Sequence, residues 1–281
     1  MKHPLDRANI NNAWCPGCGN FGILKLIEEV LTELELDAKN IVIVAGIGQS
    51  SKTPYYIDTN MFSGLHGRAL PVATAIKVSN PSLTVIAEGG DGDMYGEGGN
   101  HFMHTIRRNP DIVHIVHNNM VYGLTQGQAS PTSQKGFKTP VQVRGVESEP
   151  FNPISVALAL RAGFVARVNI GNYEHAKIVL KEAFLHKGYA LVDIFQPCVV
   201  FNKVNTYRWF KDNTYELEST YKNNNLASAM EKALEVEPMP IGILYKSLSS
   251  TFEDHQRGEN KKPLFEMKHD LKKLQTLFDQ Y

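Results

Sequence analysis

Three short runs in this chain, Ile41 to Ala45, Leu83 to Ala87 and Ile112 to Val116, are apolar but for Thr84 and His114 and stop at small or polar residues. The stops are Gly46, the triplet Glu88-Gly89-Gly90 and the triplet His117-Asn118-Asn119. A strand with one wet face alternates apolar with polar residues, so a strand without alternation must be covered on both faces, as in a parallel sheet between helix layers. Two more strands are expected at Gly163 to Val168 and Ala190 to Phe195, and helical spacing marks Phe21 to Leu34, Val156 to Leu160 and Tyr173 to Leu185. This alternation predicts an α/β fold: a mostly parallel sheet with helices on both faces. Such sheets bind ligands beyond the carboxyl ends of their strands, so the polar stops are where chemistry is expected.

The alternation fades after about residue 200. It predicts a domain over residues 1–200 and a C-terminal extension over 201–281 that packs on the domain or on a partner. The extension holds one strand, Ile241 to Tyr245, and a Lys-rich amphipathic segment from Lys261-Lys262 to Lys272-Lys273. With 29 Lys and Arg against 29 Asp and Glu, the chain has no excess positive charge to draw nucleic acid. No apolar run approaches the roughly 20 residues of a membrane helix. The first residues lack the apolar core of a secretory leader, which predicts a cytoplasmic protein, where cysteines are more often ligands than disulfides.

Two consecutive strand ends carry oxygen ligands: Gly90-Asp91-Gly92-Asp93, and, past an expected helix over Glu97 to Arg108, Asn118-Asn119. Glycines at 90 and 92 permit a sharp turn and close approach of the backbone to a bulky anion. Magnesium takes an octahedron of oxygens and commonly binds one or two protein groups plus substrate phosphates, which suits Asp91, Asn119 and the carbonyl of Val121. Gly-Asp-Gly is also an ordinary turn, and the placement of both motifs after neighbouring strands is what favours a cation. The pair Cys15 and Cys18, with Cys198 after a later strand, offers three soft ligands. Taken alone, such a set serves zinc, a redox dithiol or no ligand at all. His114 and His117 point to opposite faces of their strand and cannot chelate one ion together. His101 and His104 share a helix face with nothing beside them to complete a site, and Arg107-Arg108 suit a helix end.

Gly90-Asp91-Gly92 followed by Asn119 resembles the thiamine diphosphate motif, which opens with Gly-Asp-Gly and closes with Asn. The surrounding text is similar to the β chain of the 2-oxoacid:ferredoxin oxidoreductases. The similar segments run from Trp14-Cys15-Pro16-Gly17-Cys18-Gly19 through Gly46-Ile47-Gly48, Leu65-His66-Gly67-Arg68-Ala69, Val121-Tyr122-Gly123-Leu124-Thr125, Gly127-Gln128 and Ser130-Pro131-Thr132 to Cys198. This resemblance implies thiamine diphosphate with Mg²⁺ on Asp91, Asn119 and the Val121 carbonyl. Gly46, Ile47, Gly48, Gln49 and Ser50 of the first loop, His66, Gly90, Gly92, Asp93, Tyr122, Gly123, Leu124 and Thr125 would line the cofactor.

The same resemblance implies a [4Fe-4S] cluster on Cys15, Cys18 and Cys198. The family frequently carries a cysteine in the loop that here reads Gly46-Ile47-Gly48-Gln49-Ser50, and this chain has Gln49 there and no other cysteine. The fourth ligand then comes from a non-cysteine group or a partner chain, or the loop does not correspond to the family's, or the cluster is incomplete or absent. An α subunit is implied as the source of the second thiamine-type domain and its glutamate, with ferredoxin as electron acceptor and coenzyme A as acyl acceptor. His66, Lys52, Leu124 and Gln126 are the expected catalytic and substrate-choosing residues, and the 2-oxoacid favoured is 2-oxoglutarate over pyruvate. The competing readings are a non-oxidative thiamine-dependent subunit, which needs no cluster, and a non-catalytic metal module.

Overall fold

The computed structural model describes residues 5–7, 10–257, 262–267 and 270–280; Lys261 and the first four residues lie outside them. The expected apolar strands form. β1 (Ile41–Ala45), β3 (Thr84–Gly90), β4 (Val113–Asn118), β5 (Phe164–Asn169) and β6 (Ala190–Phe195) lie in one sheet, and β1, β4, β5 and β6 are buried along their whole length. With β2 (Asn60–Ser63) at one edge and β7 (Thr214–Glu216) and β8 (Met239–Lys246) at the other, the order is β2-β1-β3-β4-β6-β5-β8-β7. The first six strands run parallel, and β8 joins β5 antiparallel with a register shift between Val165 and Ala166. Residues beyond 200 thus add two strands to the same sheet.

Helices cover both faces. α1 (Asn20–Glu33) and α5 (Tyr173–Leu185) lie on one, their Ile23, Ile27, Leu31, Ala176 and Leu180 packing on Ile43, Ile86, Ile115 and Val192. On the other, α2 (Ala69–Ser79), α3 (Gly99–Arg108), α4 (Pro153–Ala159) and α6 (Leu226–Ala233) bury Leu70, Phe102, Ile154 and Ala229 against Val44, Val85, Val116 and Leu191. The β-branched runs therefore serve two cores at once, because successive side chains of a strand alternate between them. His114 and His117 show that alternation: His114 Nδ1 meets Tyr189 Oη at 2.6 Å under α3, while His117 Nδ1 meets Asn20 Oδ1 of α1 at 2.9 Å.

From β1 the chain first moves outward to β2 and then returns to place β3 on the other side of β1. That reversal opens a crevice at the carboxyl ends of β1 and β3, where ligands bind in folds of this kind.

Candidate functional site

The loop after β1, the turn after β3 and the loop after β4 enclose a cavity of about 380 Å³. Ile47 to Ser50, His66, Gly90 to Asp93, Asn119 and Val121 to Thr125 all line it, so the structure gathers nearly every residue that the sequence marks for cofactor binding. Gly46 stands behind the wall instead, and Lys52 and Gln126 are not among the lining residues. Lys52 sits on the 3-10 turn Ser50–Tyr55, and Gln126 caps an exposed loop with φ of 72°. Leu124 lines the cavity at its mouth and is 44% exposed.

After Asp91 the chain enters a π-helical turn, Gly92–Glu97, before α3, a geometry frequent at functional sites. Gly92 is required here by packing: a β-carbon would fall 2.1 Å from the Tyr122 ring. The Tyr122 hydroxyl reaches Gly92 O and Glu97 Oε1, both at 3.3 Å.

Asp91 is 1% exposed. Ser130 Oγ and Thr132 Oγ1 donate to its Oδ2 at 2.6 and 2.5 Å. Burial pushes its carboxyl up to about 6 against the pull of those two hydroxyls, with the charge of Asp193 adding to the rise. A carboxylate held at that cost, with Oδ1 outside the two hydroxyl bonds, is an acceptor for a hard cation, whose charge would reverse the penalty. Asn119 Oδ1 accepts from Val121 N at 3.0 Å, an Asx turn that fixes both residues beside Asp91.

On the opposite wall, Asp93 Oδ1 accepts from Ile47 N at 3.2 Å and Gly67 N at 2.9 Å, tying the β1 loop to the turn before α2. Its Oδ2 is buried and unpartnered. Asp93, His66 and Glu97 bring ligand atoms within 4.8 Å of one another. The cavity thus holds a second oxygen and nitrogen donor set.

A smaller cavity adjoins the first. Cys15, Cys18 and Cys198 line it with Trp14, Asn20, Gln49, Asn119, Gly123 and Phe201. Gly17, with φ of 80°, turns the chain so that Cys18 N donates to Cys15 O at 3.0 Å, and Cys198 follows β6 directly. Trp14 packs edge-on against Phe21 and Tyr56 and donates Nε1 to Gln49 O at 2.7 Å, which joins the cysteine turn to the β1 loop. All three cysteines are free thiols. Burial pushes the Cys18 thiol up to about 11, opposed by a backbone hydrogen bond from Asn20, and the charges of Cys198 and Cys15 raise it further. The three thiols are soft donors gathered on the wall of one cavity. Gln49, Asn119 and Gly123 line both cavities.

Residues 40–194 match the family model for the thiamine pyrophosphate enzyme C-terminal TPP-binding domain, and residues 198–261 match the model for the C-terminal part of the pyruvate ferredoxin oxidoreductase beta chain. A 2-oxoacid:ferredoxin oxidoreductase β subunit of a Sulfolobus species is 44% identical over 84% of this chain and 82% of its own length. The chain is a 2-oxoacid:ferredoxin oxidoreductase β subunit. The KorB protein of the 2-oxoglutarate oxidoreductase of Mycobacterium tuberculosis is 45% identical over 67% of this β subunit and 51% of its own length. A solved 2-oxoglutarate:ferredoxin oxidoreductase from Magnetococcus marinus, with 2-oxoglutarate, coenzyme A and succinyl-CoA bound, superposes with a TM-score of 0.91. It is 34% identical, over 97% of this chain and 94% of that one. As a β subunit, the chain works with an α partner.

Sequence reasoning does not mark Glu97, Gln128 and Ala129 on the wall, nor Ser130 and Thr132 behind Asp91, as site residues. The triplet Ser130-Pro131-Thr132 belongs to the family-like text, and two hydroxyls two residues apart are the signal that could have found them. Glu97, four residues after Asp93 across a helical turn, is the other.

Proposed function

We propose that this β subunit, with its α partner, decarboxylates 2-oxoglutarate oxidatively to the acyl-coenzyme A and passes the electrons to ferredoxin. The observation that carries the reading is the wall shared by the two cavities: Gln49, Asn119 and Gly123 face both the buried carboxylate of Asp91 and the three thiols. A carboxylate cavity alone would suit any thiamine-dependent chemistry, whereas a thiol cavity against it suits electron removal. The relatives named for 2-oxoglutarate support that substrate over pyruvate.

The donor sets fit the groups that the family implies. Asp91 Oδ1, Asn119 Oδ1 and the Val121 carbonyl would hold Mg²⁺ against the diphosphate, and Cys15, Cys18 and Cys198 would hold an iron–sulfur cluster. Thiamine diphosphate supplies the carbon nucleophile and electron sink for decarboxylation, and the cluster supplies a one-electron exit. The chain's own contribution is orientation. Asp93 locks the loop of Gly46 to Ser51 and the His66-Gly67 turn around the cavity, and Ser130 and Thr132 aim Asp91. Leu124 at the mouth, with Gln126 and Lys52 on the flanking loops, meets the substrate where α closes over it. Three unpaired thiols fit a reducing cytoplasm.

The test is anaerobic co-purification with the α partner, with thiamine diphosphate, iron and sulfide measured on one sample. The expected result is both cofactors per β subunit and a brown colour bleached by 2-oxoglutarate plus coenzyme A. Thiamine diphosphate without iron moves the function to non-oxidative chemistry, and bleaching by pyruvate alone overturns the substrate.

A further inference from the structure

A [4Fe-4S] cluster presents four iron corners, each needing a terminal ligand, and this chain has only three cysteines, all in one cavity. The other polar groups on that cavity differ in what they have free. Trp14 Nε1 is a donor and already serves Gln49 O. Asn20 Oδ1 faces His117 Nδ1 at 2.9 Å, and Asn119 Oδ1 accepts from Val121 N. Gln49 Oε1 alone among them is a fully buried carbonyl oxygen without a hydrogen-bond partner. A buried acceptor left unpaired demands an explanation, and a metal at that point supplies one.

We propose that Gln49 Oε1 is the fourth ligand of the cluster held by Cys15, Cys18 and Cys198. The inference rests on the cluster reading above. Trp14 supports it mechanically, since the residue next to Cys15 also holds the Gln49 backbone, so one indole sets the thiol turn and the amide together. The chemical consequences follow from replacing a thiolate by a neutral amide oxygen. The oxygen is a harder and weaker ligand for iron, so that corner's iron is the most easily lost. The site carries one negative charge fewer than a four-thiolate site, which raises the reduction potential of the cluster. Gln49 also lines the carboxylate cavity.

The experiment compares the anaerobically purified αβ complex with its Gln49→Cys and Gln49→Ala variants, loaded with ⁵⁷Fe. Mössbauer spectra of the wild type should resolve one iron from the others, and mild oxidation should convert it to a [3Fe-4S] EPR signal. Gln49→Cys should remove the distinct iron, resist that conversion and lower the potential. Gln49→Ala should lose about a quarter of its iron as isolated. A wild type whose irons are equivalent and as oxidation-resistant as those of Gln49→Cys overturns the proposal, as does a Gln49→Ala spectrum identical to wild type. If Gln49→Ala does not assemble, the wild-type and Gln49→Cys comparison decides alone. Absence of iron from wild type and Gln49→Cys, with thiamine diphosphate retained, defeats the cluster reading itself, an outcome distinct from the other two.

Discussion

A β-carbon on Gly46 would lie 1.9 Å from Asp93 Oδ2, and the carboxylate occupies the space where a side chain at 46 would stand. Because Asp93 Oδ1 also binds Ile47 N and Gly67 N, one side chain fixes two loops of the cavity. Gly46→Ala must displace Asp93 and release both loops. We expect thiamine diphosphate affinity to fall about 100-fold and stability by about 2–3 kcal/mol, as for losing a buried hydrogen-bonded group. Titration calorimetry and thermal melts of the αβ complex check this; unchanged affinity would show that the clamp is dispensable.

Thr132 Oγ1 lies 2.5 Å from Asp91 Oδ2 and 2.9 Å from Asn118 Oδ1. Thr132→Val keeps the shape and removes the hydroxyl. Supporting groups of this kind are worth about 10–100-fold in metal affinity, so at the proposed Mg²⁺ site the binding of thiamine diphosphate should weaken by that factor. Thr132→Ser should restore most of it. Loss of binding in both variants would point to a packing defect.

The sheet was legible because strands buried on both faces need mostly apolar runs, and Tyr173–Leu185 and Ala190–Phe195 form as the spacing predicts. β2, with the sequence Asn-Met-Phe-Ser, is exposed throughout, so no burial pattern marks it. β7 is three residues long and gains its place only by pairing with β8. Within the site, Gly90 to Asp93 and Asn119 were readable because each motif is local and sits at a strand end. The roles of Asp93 and Thr132 were not. Asp93 acts on backbone amides 26 and 46 residues away, and Thr132 returns to Asp91 across 41 residues, contacts that only the folded chain creates.

Glu28 on α1 is 4% exposed, and burial pushes its carboxyl from the ordinary 4.5 up to about 8, with Asp6 adding to the rise by its charge and hydrogen bond. The folded-state value is raised, so both folded and unfolded chains hold the proton below pH 4.5. Between 4.5 and 8 only the folded chain keeps it, and stability falls as pH rises through that window. The accumulated cost above pH 8 is about 5 kcal/mol at 1.36 kcal/mol per unit. Glu28→Gln should therefore melt well above wild type at pH 8.5 and together with it at pH 4.5. Equal melting at both pH values would mean that Glu28 is ionised without penalty.

Behind the site runs a buried chain of polar groups, from Asp91 through Thr132 and Asn118 to Asp193. Asn118 Nδ2 donates to both oxygens of Asp193 at 3.2 and 3.3 Å, and Tyr95 Oη donates to Oδ1 at 3.1 Å. Arg167, opposite Asp193 in the β5–β6 register, places Nε 3.6 Å from Oδ2 and its guanidinium over the Phe195 ring. Burial still holds the Asp193 carboxyl above its usual range despite these partners. Arg167→Met deletes the positive charge and strands the carboxylate, which should cost about 3–5 kcal/mol in denaturant unfolding. Replacing both members, Arg167→Met with Asp193→Leu, removes the stranded charge and should recover most of that loss, because a well-packed apolar pair is often as stable as a buried ion pair. The double variant also deprives Asn118 of its acceptor next to Thr132. Its stability should thus recover further than its affinity for thiamine diphosphate, and recovery of both in step would mean that the chain of polar groups does not reach the cofactor cavity.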